Sequence, residues 1–347
     1  MYTPTMHWGN KETEYFYKLT PEAIMDAVEY FDLRPTGRTL PLNSMENRVY
    51  EIEIENPDAK TPSENFVISK FYRPGRWNKE QIQEEHDFLN DLIKAEIPAI
   101  APIMHNGESV FTHKETGLLF CLFPKKGGRH KDELQDEEIE ILGRTLARLH
   151  TVGKQKVASH RVQLTPKTYG EGNLEMILEA DVLPNHLRET YTNYVNQIVS
   201  LSSPLFEGRE LQRIHGDCHW GNVLWDLGSE VAKPFFVDFD DMVRGFPVQD
   251  IWLLIPGRDR EAMSQRNLLL GAYDEIAHFD YSSLKLVEPL RTLRYIHFTA
   301  WITKRWEDPS FKNAFPQFGT EAYWETQTAD LREQIGLIQD SQTPEYY

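Results

Sequence analysis

Apolar and polar residues alternate from about Arg48 to Glu55, in RVYEIEIE, the period-two pattern of a half-buried strand. FVISKFYRP reads as a second strand ended by Pro74, with NPDAKTPSEN as the turn, so the two runs should pair as an antiparallel hairpin. Upstream, PEAIMDAVEYF is a helix opened by Thr20 as N-cap, with Pro21 at the first helical position. Downstream, from Lys79 to Lys94, Ile82, Glu85, Leu89, Leu92 and Ile93 recur at helical spacing. IPAIAPIMHNGE is a Pro-rich connection with a short strand. FTHKETGLLFCLFP is a further hairpin, turning near Glu115 to Gly117 and ending at Pro124.

KKGGRH follows and has the composition of a hinge. Beyond it the pattern is mainly helical: EEIEILGRTLARLHTVG, Asn185 to Leu201, and most of 260 to 340. One β interruption is predicted, NVLWDLGSEVAKPFFVDF, two short strands joined by a turn. GEGNLE, residues 170 to 175, reads as a turn. These elements predict an α+β chain of two lobes. Residues 1–123 form a smaller antiparallel-sheet lobe with one helix between its strands, and residues 124–347 a larger helical lobe. A cleft between two lobes is where a ligand usually sits.

The composition narrows the partners. A formal net charge of -17 argues against a protein that tracks nucleic-acid phosphates. Only Cys121 and Cys218 are present, so no disulfide framework is expected and a reducing cytoplasm is the default. MYTPTMHWGNKETEY lacks the basic and apolar segments of a signal peptide. No apolar run approaches the ~18 residues of a membrane span. A soluble cytoplasmic monomer without membrane insertion is the expectation.

Chemistry concentrates in HGDCHWGN, residues 215–222, and FFVDFDD, residues 235–241. His215, Asp217 and His219 could ligate a metal, as in a hydrolase. Alternatively, Asp217 is a base on a catalytic loop, and the hairpin returns Asp238 beside Asn222 so that these two hold Mg²⁺. The D-x-x-x-x-N spacing followed by a hairpin and an Asp is that of a kinase catalytic loop. That chemistry needs a strand lysine for the ATP phosphates, which Lys70 supplies, with Ile68 on the same face. It also needs a helical glutamate to orient the lysine: Glu85 faces inward, and Glu84 is the fallback. No Walker A pattern exists; LNSMEN, residues 42–47, takes the phosphate-loop position, with Asn43, Ser44 and Asn47 as candidate contacts. The backbone at Phe120 to Phe123 should meet adenine. His215 and His219 read as loop supports and Cys218 as a buried filler, while Asp240 and Asp241 either assist the metal or, as the preferred reading, cap the next turn. Lys125 and Lys126 read as solvated hinge charges rather than substrate contacts, and Trp301, Arg305 and Trp306 as core and rim rather than a substrate platform.

HGDCHWGN with VDFDD beyond it is similar to the HGDxHxxN signature of aminoglycoside-phosphotransferase-like kinases. PLNSMENRVYEI, VISKFYRPGRW, QIQEEHDFL, GRTLARLH, VQDIWLL, VEPLR and the segment Trp301 to Trp306 resemble the bacterial stress response kinase A family, nearly end to end. The resemblance implies a Ser/Thr protein kinase with a two-lobed, protein-kinase-like fold of the small-molecule-kinase type, using ATP and Mg²⁺ and linked to stress response. It implies Asp217 as proton acceptor, Asn222 and Asp238 as Mg²⁺ ligands, Ser44 as an ATP-contacting serine, and a phospho-acceptor role for Asp238. A small amine or alcohol kinase stays open as an alternative, as does a silent binding module. Two departures stand out: Gly216 precedes Asp217 where eukaryotic protein kinases have Arg, and Phe239-Asp240 replaces Phe-Gly after Asp238.

Overall fold

The alternation at Arg48–Ile54 is the second strand of a five-stranded antiparallel sheet in the computed structural model, which describes residues 16–131, 133–226, 228 and 233–343. The N-terminal stretch read for a leader signal lies outside the described residues, as does the middle of the turn in NVLWDLGSEVAKPFF. Helix α1 (Pro21–Glu29) precedes β1 (Pro35–Leu42), β2 (Arg48–Ile54) and β3 (Phe66–Phe71). Helix α2 (Lys79–Lys94) then leads to β4 (Phe111–Thr112) and β5 (Leu119–Pro124). The spatial order is β1-β2-β3-β5-β4, with Lys70 paired to Val49 on one side and Cys121 on the other. Thr20 caps α1 as expected, accepting the Ala23 N–H at 3.3 Å.

The helical lobe runs α3 (Asp136–Lys154), a π-helical turn (Pro166–Glu171) continuing into α4 (Gly172–Glu179), and α5 (Asn185–Phe206). Strands β6 (Gln212–Ile214), β7 (Val223–Asp226), β8 (Lys233–Phe236) and β9 (Val243–Gly245) follow, then α6 (Pro247–Leu254), α7 (Arg260–Asp274), α8 (Val287–Lys304), α9 (Pro309–Ala314) and α10 (Glu321–Asp340). Strands β7 and β8 form the expected hairpin.

Helix α2 ties the lobes together. A capping box starts it: Asn78 accepts the Gln81 N–H at 2.8 Å, and Gln81 accepts the Asn78 N–H at 3.0 Å. Its apolar stripe of Phe88, Leu89 and Leu92 packs into the core of the helical lobe, with Leu142, Leu146, Ile214 and Phe239. The sheet keeps a separate core, in which Ala23, Ile24, Ala27 and Val28 of α1 meet Ile52, Val67, Phe71, Phe120 and Leu122.

Several elements differ from the expected pattern. Strand β1 has no counterpart among the predicted elements because Pro35, Gly37 and Pro41 interrupt it; an edge strand tolerates them, and its register slips between Pro35 and Thr39. Strand β3 stops at Phe71, before Pro74. The predicted strand in IPAIAPIMHNGE is reduced to isolated bridges at Ala99 and His105. A second strand pair, β6 with β9, joins segments too short to show a period. GEGNLE is helical rather than a turn, because its glycines fall where π-turn and α4 join. Ile93, counted with the apolar face of α2, is exposed.

Candidate active site

A cavity of about 850 Å³ lies between the sheet and the helical lobe, and Ser44, Asn47, Lys70, Glu85, Asp217, Asn222 and Asp238 all line it. Ile68 lines it beside Lys70, as alternation along β3 requires.

The loop carrying Asp217 is built backward from α6. The buried Asp250 carboxylate accepts the His215 and Gly216 N–H groups, each at 2.9 Å, and meets His150 Nε2 at 3.0 Å. Gly216 has φ +84°, and a Cβ there would run into the Asp241 carbonyl oxygen, so only glycine fits. His215 Nε2 donates to the Val237 carbonyl at 2.9 Å, and His219 Nδ1 accepts the Gly221 N–H at 2.9 Å. Both histidines therefore brace the loop. Cys218 is fully buried. Among the described residues His215, Asp217 and His219 do not converge as a metal-binding group; the cluster that does, His186 with Glu321 and Glu325, is exposed and lines no part of the cavity.

Asn222 donates Nδ2 to the Asp217 carbonyl at 2.9 Å, which leaves its amide oxygen as the side chain's acceptor. The Val237 N–H donates to the Asn222 carbonyl at 3.0 Å, which brings Asp238 alongside. Asp238 adopts a left-handed conformation, φ 60° and ψ 65°, and its side chain is 61% exposed. A non-glycine residue held there costs of order 1–3 kcal/mol, a strain typical of functional loops. An amide oxygen beside an exposed carboxylate fits a hard cation such as Mg²⁺ or Ca²⁺ rather than a soft one.

The cation missing next to Asp217 in sequence arrives from α8: Arg294 Nη2 lies 2.6 Å from Asp217 Oδ1. Burial alone would raise the Asp217 pKa, but the His219 hydrogen bond and the Arg294 charge outweigh it and hold the carboxyl well below its usual range. Asp217 stays ionised and oriented.

Lys70 keeps the expected Glu85 as an ion-pair partner and gains a nearer one. Its nearest carboxylate is Asp240, at 2.9 Å, whereas Glu85 lies at 3.9 Å and Asp238 at 3.8 Å. Glu85 gives its short contact, 2.8 Å, to Arg161 of the helical lobe. Glu84, the fallback, accepts backbone N–H groups of His160 and Arg161 instead. Asp240 and Asp241 are not turn caps: Arg76 pairs with both carboxylates, and Asp240 is buried. A buried carboxylate requires such cations, and the short DFDD spacing gave no sign of them. Burial would lower the Lys70 pKa, but Asp240, Glu85 and Asp238 together raise it.

The 42–47 loop is held from both sides. Ser44 Oγ accepts the Asn47 N–H at 3.3 Å; Asn47 accepts the Arg73 N–H at 3.1 Å and donates to Asp240 at 3.3 Å. The neighbouring Glu46, absent from the expected site, is buried against Arg305 at 2.7 Å and the Trp301 indole N–H at 3.0 Å. Trp301 and Arg305 are thus inter-lobe contacts, and Trp301 also lines the cavity.

Residues 39–287 match the family model described as the phosphotransferase enzyme family. The chain belongs to this family. It is 36% identical over 326 residues to stress response kinase A of Escherichia coli (strain K12), covering 94% of this chain and 95% of that one. It is 35% identical, with the same coverage, to serine/threonine protein kinase RdoA of Salmonella typhimurium (strain LT2). Amicoumacin kinase hAmiN, solved with AMP-PNP, Ca²⁺ and Ami, superposes with TM-score 0.71 at 18% identity, over 94% of this chain and 95% of that one. A microcompartment-associated aminopropanol kinase does so with TM-score 0.66 at 16% identity, over 92% and 98%. This phosphotransferase is an ATP-dependent enzyme with the two-lobed kinase-like fold. Among its described residues no helix is long and apolar enough to cross a membrane.

Proposed function

We propose that this phosphotransferase moves the γ-phosphoryl group of ATP, as its Mg²⁺ complex, onto Ser or Thr hydroxyls of proteins, its own chain included, in a cytoplasmic stress response. The observation that carries the reading is the convergence of Lys70, Asp217, Asn222 and Asp238 on one inter-lobe cavity. The likeness to relatives named stress response kinase A and serine/threonine protein kinase supports the acceptor class. The lobes part at residue 124. Of the expected adenine contacts at 120–123 only Phe123 lines the cavity, while 120–122 are paired within the sheet, so adenine meets the chain at 123–126. Ser44, Asn47 and Lys70 face the phosphates, with Glu85 behind the lysine.

Asn222 and Asp238 hold the Mg²⁺, whose charge offsets that building on the phosphoryl oxygens when it is bound. Asp217 orients the acceptor hydroxyl and takes its proton late, because a loose transition state needs positioning more than early deprotonation. Its low pKa suits that task. The fold is shared with kinases named for small acceptors, which makes a small amine or alcohol the second reading.

The test is labelled ATP and Mg²⁺ with the protein alone, with a generic protein acceptor, and with small aminoalcohols. Labelling of protein is expected, lost in Asp217→Ala and Asp238→Ala. Transfer to the aminoalcohols alone would favour the second reading. Wild-type transfer by Asp217→Ala, with loss in His219→Ala, would overturn the base assignment.

A further inference from the structure

Lys70 is the cation on β3 that faces the cavity, and its nearest carboxylate is not on helix α2. Lys70 Nζ lies 2.9 Å from Asp240 Oδ1 and 3.9 Å from Glu85 Oε1, so Asp240 is the closer ion-pair partner by a full ångström. The other Asp240 oxygen is shared by Arg76 and by Asn47 Nδ2. Its backbone carbonyl accepts from Arg161 Nη1 at 2.7 Å, and the second guanidinium nitrogen of Arg161 holds Glu85 at 2.8 Å. Asp240 is thus fixed at both its carboxylate and its backbone.

We propose that Asp240, held in place by Arg76, is the residue that positions Lys70 for the nucleotide phosphates, and that Glu85 chiefly fixes helix α2 to the helical lobe through Arg161. This rests on the reading of Lys70 as the phosphate lysine. A single buried carboxylate serving Lys70 would suffer the full cost of desolvation; Arg76 offsets it, so Asp240 can stay charged beside the cavity. The arrangement has a consequence for the site. Asp240 lies two residues beyond Asp238 on one short turn, so the same backbone segment sets the lysine and the proposed metal carboxylate. Nucleotide phosphates and metal are then positioned as one unit, with the left-handed Asp238 turn as their common support. Arg76 also lies 3.7 Å from Glu46, which brings the phosphate loop into the same unit.

Asp240 is a positioning residue, so it must act through Lys70, and a double-mutant cycle tests that directly. Asp240→Asn should lower kcat/KM for ATP by about 10- to 100-fold, as losses of supporting contacts do. In the Lys70→Met background the same change should alter the residual kcat/KM by no more than about twofold. Full, multiplicative loss in that background would overturn the proposal while leaving Lys70 as the phosphate lysine. Unchanged kcat/KM in Lys70→Met alone would overturn the reading on which the proposal rests. Glu85→Gln supplies an arm independent of whether Asp240→Asn folds. It should lower the melting temperature, with a loss of kcat/KM several-fold smaller than the Asp240→Asn range. A folded Glu85→Gln protein that loses ~100-fold or more would assign the orienting role to the helix glutamate and sink the proposal.

Discussion

The Asp250 carboxylate takes up the two backbone N–H groups that precede Asp217 and holds His150 on its other side, all without exposure to solvent. Truncating it to alanine orphans two buried donors, each costing about 1–3 kcal/mol. Asp250→Ala should therefore lose about 2–6 kcal/mol in urea unfolding and, in what still folds, reduce kcat more than KM for ATP. A loss below ~0.5 kcal/mol would mean that this clamp carries no load. Asp250 shows how far the site was legible at this scale. Asp217, Asn222 and Asp238 could be found because spacing alone brings them together along one loop and one hairpin. Arg294 and Arg76 could not: their carboxylate partners are 77 and 164 residues away, and an arginine in a helix or turn carries no mark of them.

Helices with a strong apolar period were legible, and α2 was delimited at Lys79 and Lys94. What the period could not tell is which core the stripe enters. Phe88, Leu89 and Leu92 leave the sheet to α1 and pack with the helical lobe, Phe88 against Phe239 with ring centroids 5.8 Å apart. Phe239 sits between Asp238 and Asp240, so α2 is pressed onto the turn that carries both carboxylates. Short or edge elements lacked a usable signal: β1 is broken by proline and glycine, and β6 and β9 have three residues each. Phe88→Ala should cost about 3–5 kcal/mol, the range for emptying a buried aromatic site. It should also weaken the site's grip on metal, seen as a raised Mg²⁺ requirement at saturating ATP. An equal loss of stability with an unchanged Mg²⁺ requirement would show that the turn does not depend on α2.

The two lobes are joined by charge as well as by α2. Glu46 of the 42–47 loop meets Arg305, Arg73 meets Asp308 at 3.0 Å, and Glu85 meets Arg161, every one of these groups buried. Such pairs add little stability relative to apolar replacements, but removing one partner strands the other at a cost of about 3–5 kcal/mol. Burial pushes the Glu46 pKa up from its ordinary 4.5, yet Arg76 and Arg305 outweigh this, and the net shift is downward. The folded protein therefore binds this proton less tightly than the unfolded chain does. The stabilisation is fully present above the ordinary value of 4.5 and is lost as pH falls through the lower, folded pKa. In wild type, the Glu46 contribution should leave the melting temperature level between about pH 7 and 5 and steepen its fall below about 4.5. Glu46→Gln should start from a lower plateau and fall less steeply in acid, so that the two curves converge. Parallel curves across this range would mean that the Glu46 charge does not join the lobes. Convergence together with faster nucleotide release from Glu46→Gln would identify the same contact as what holds the 42–47 loop over the cavity.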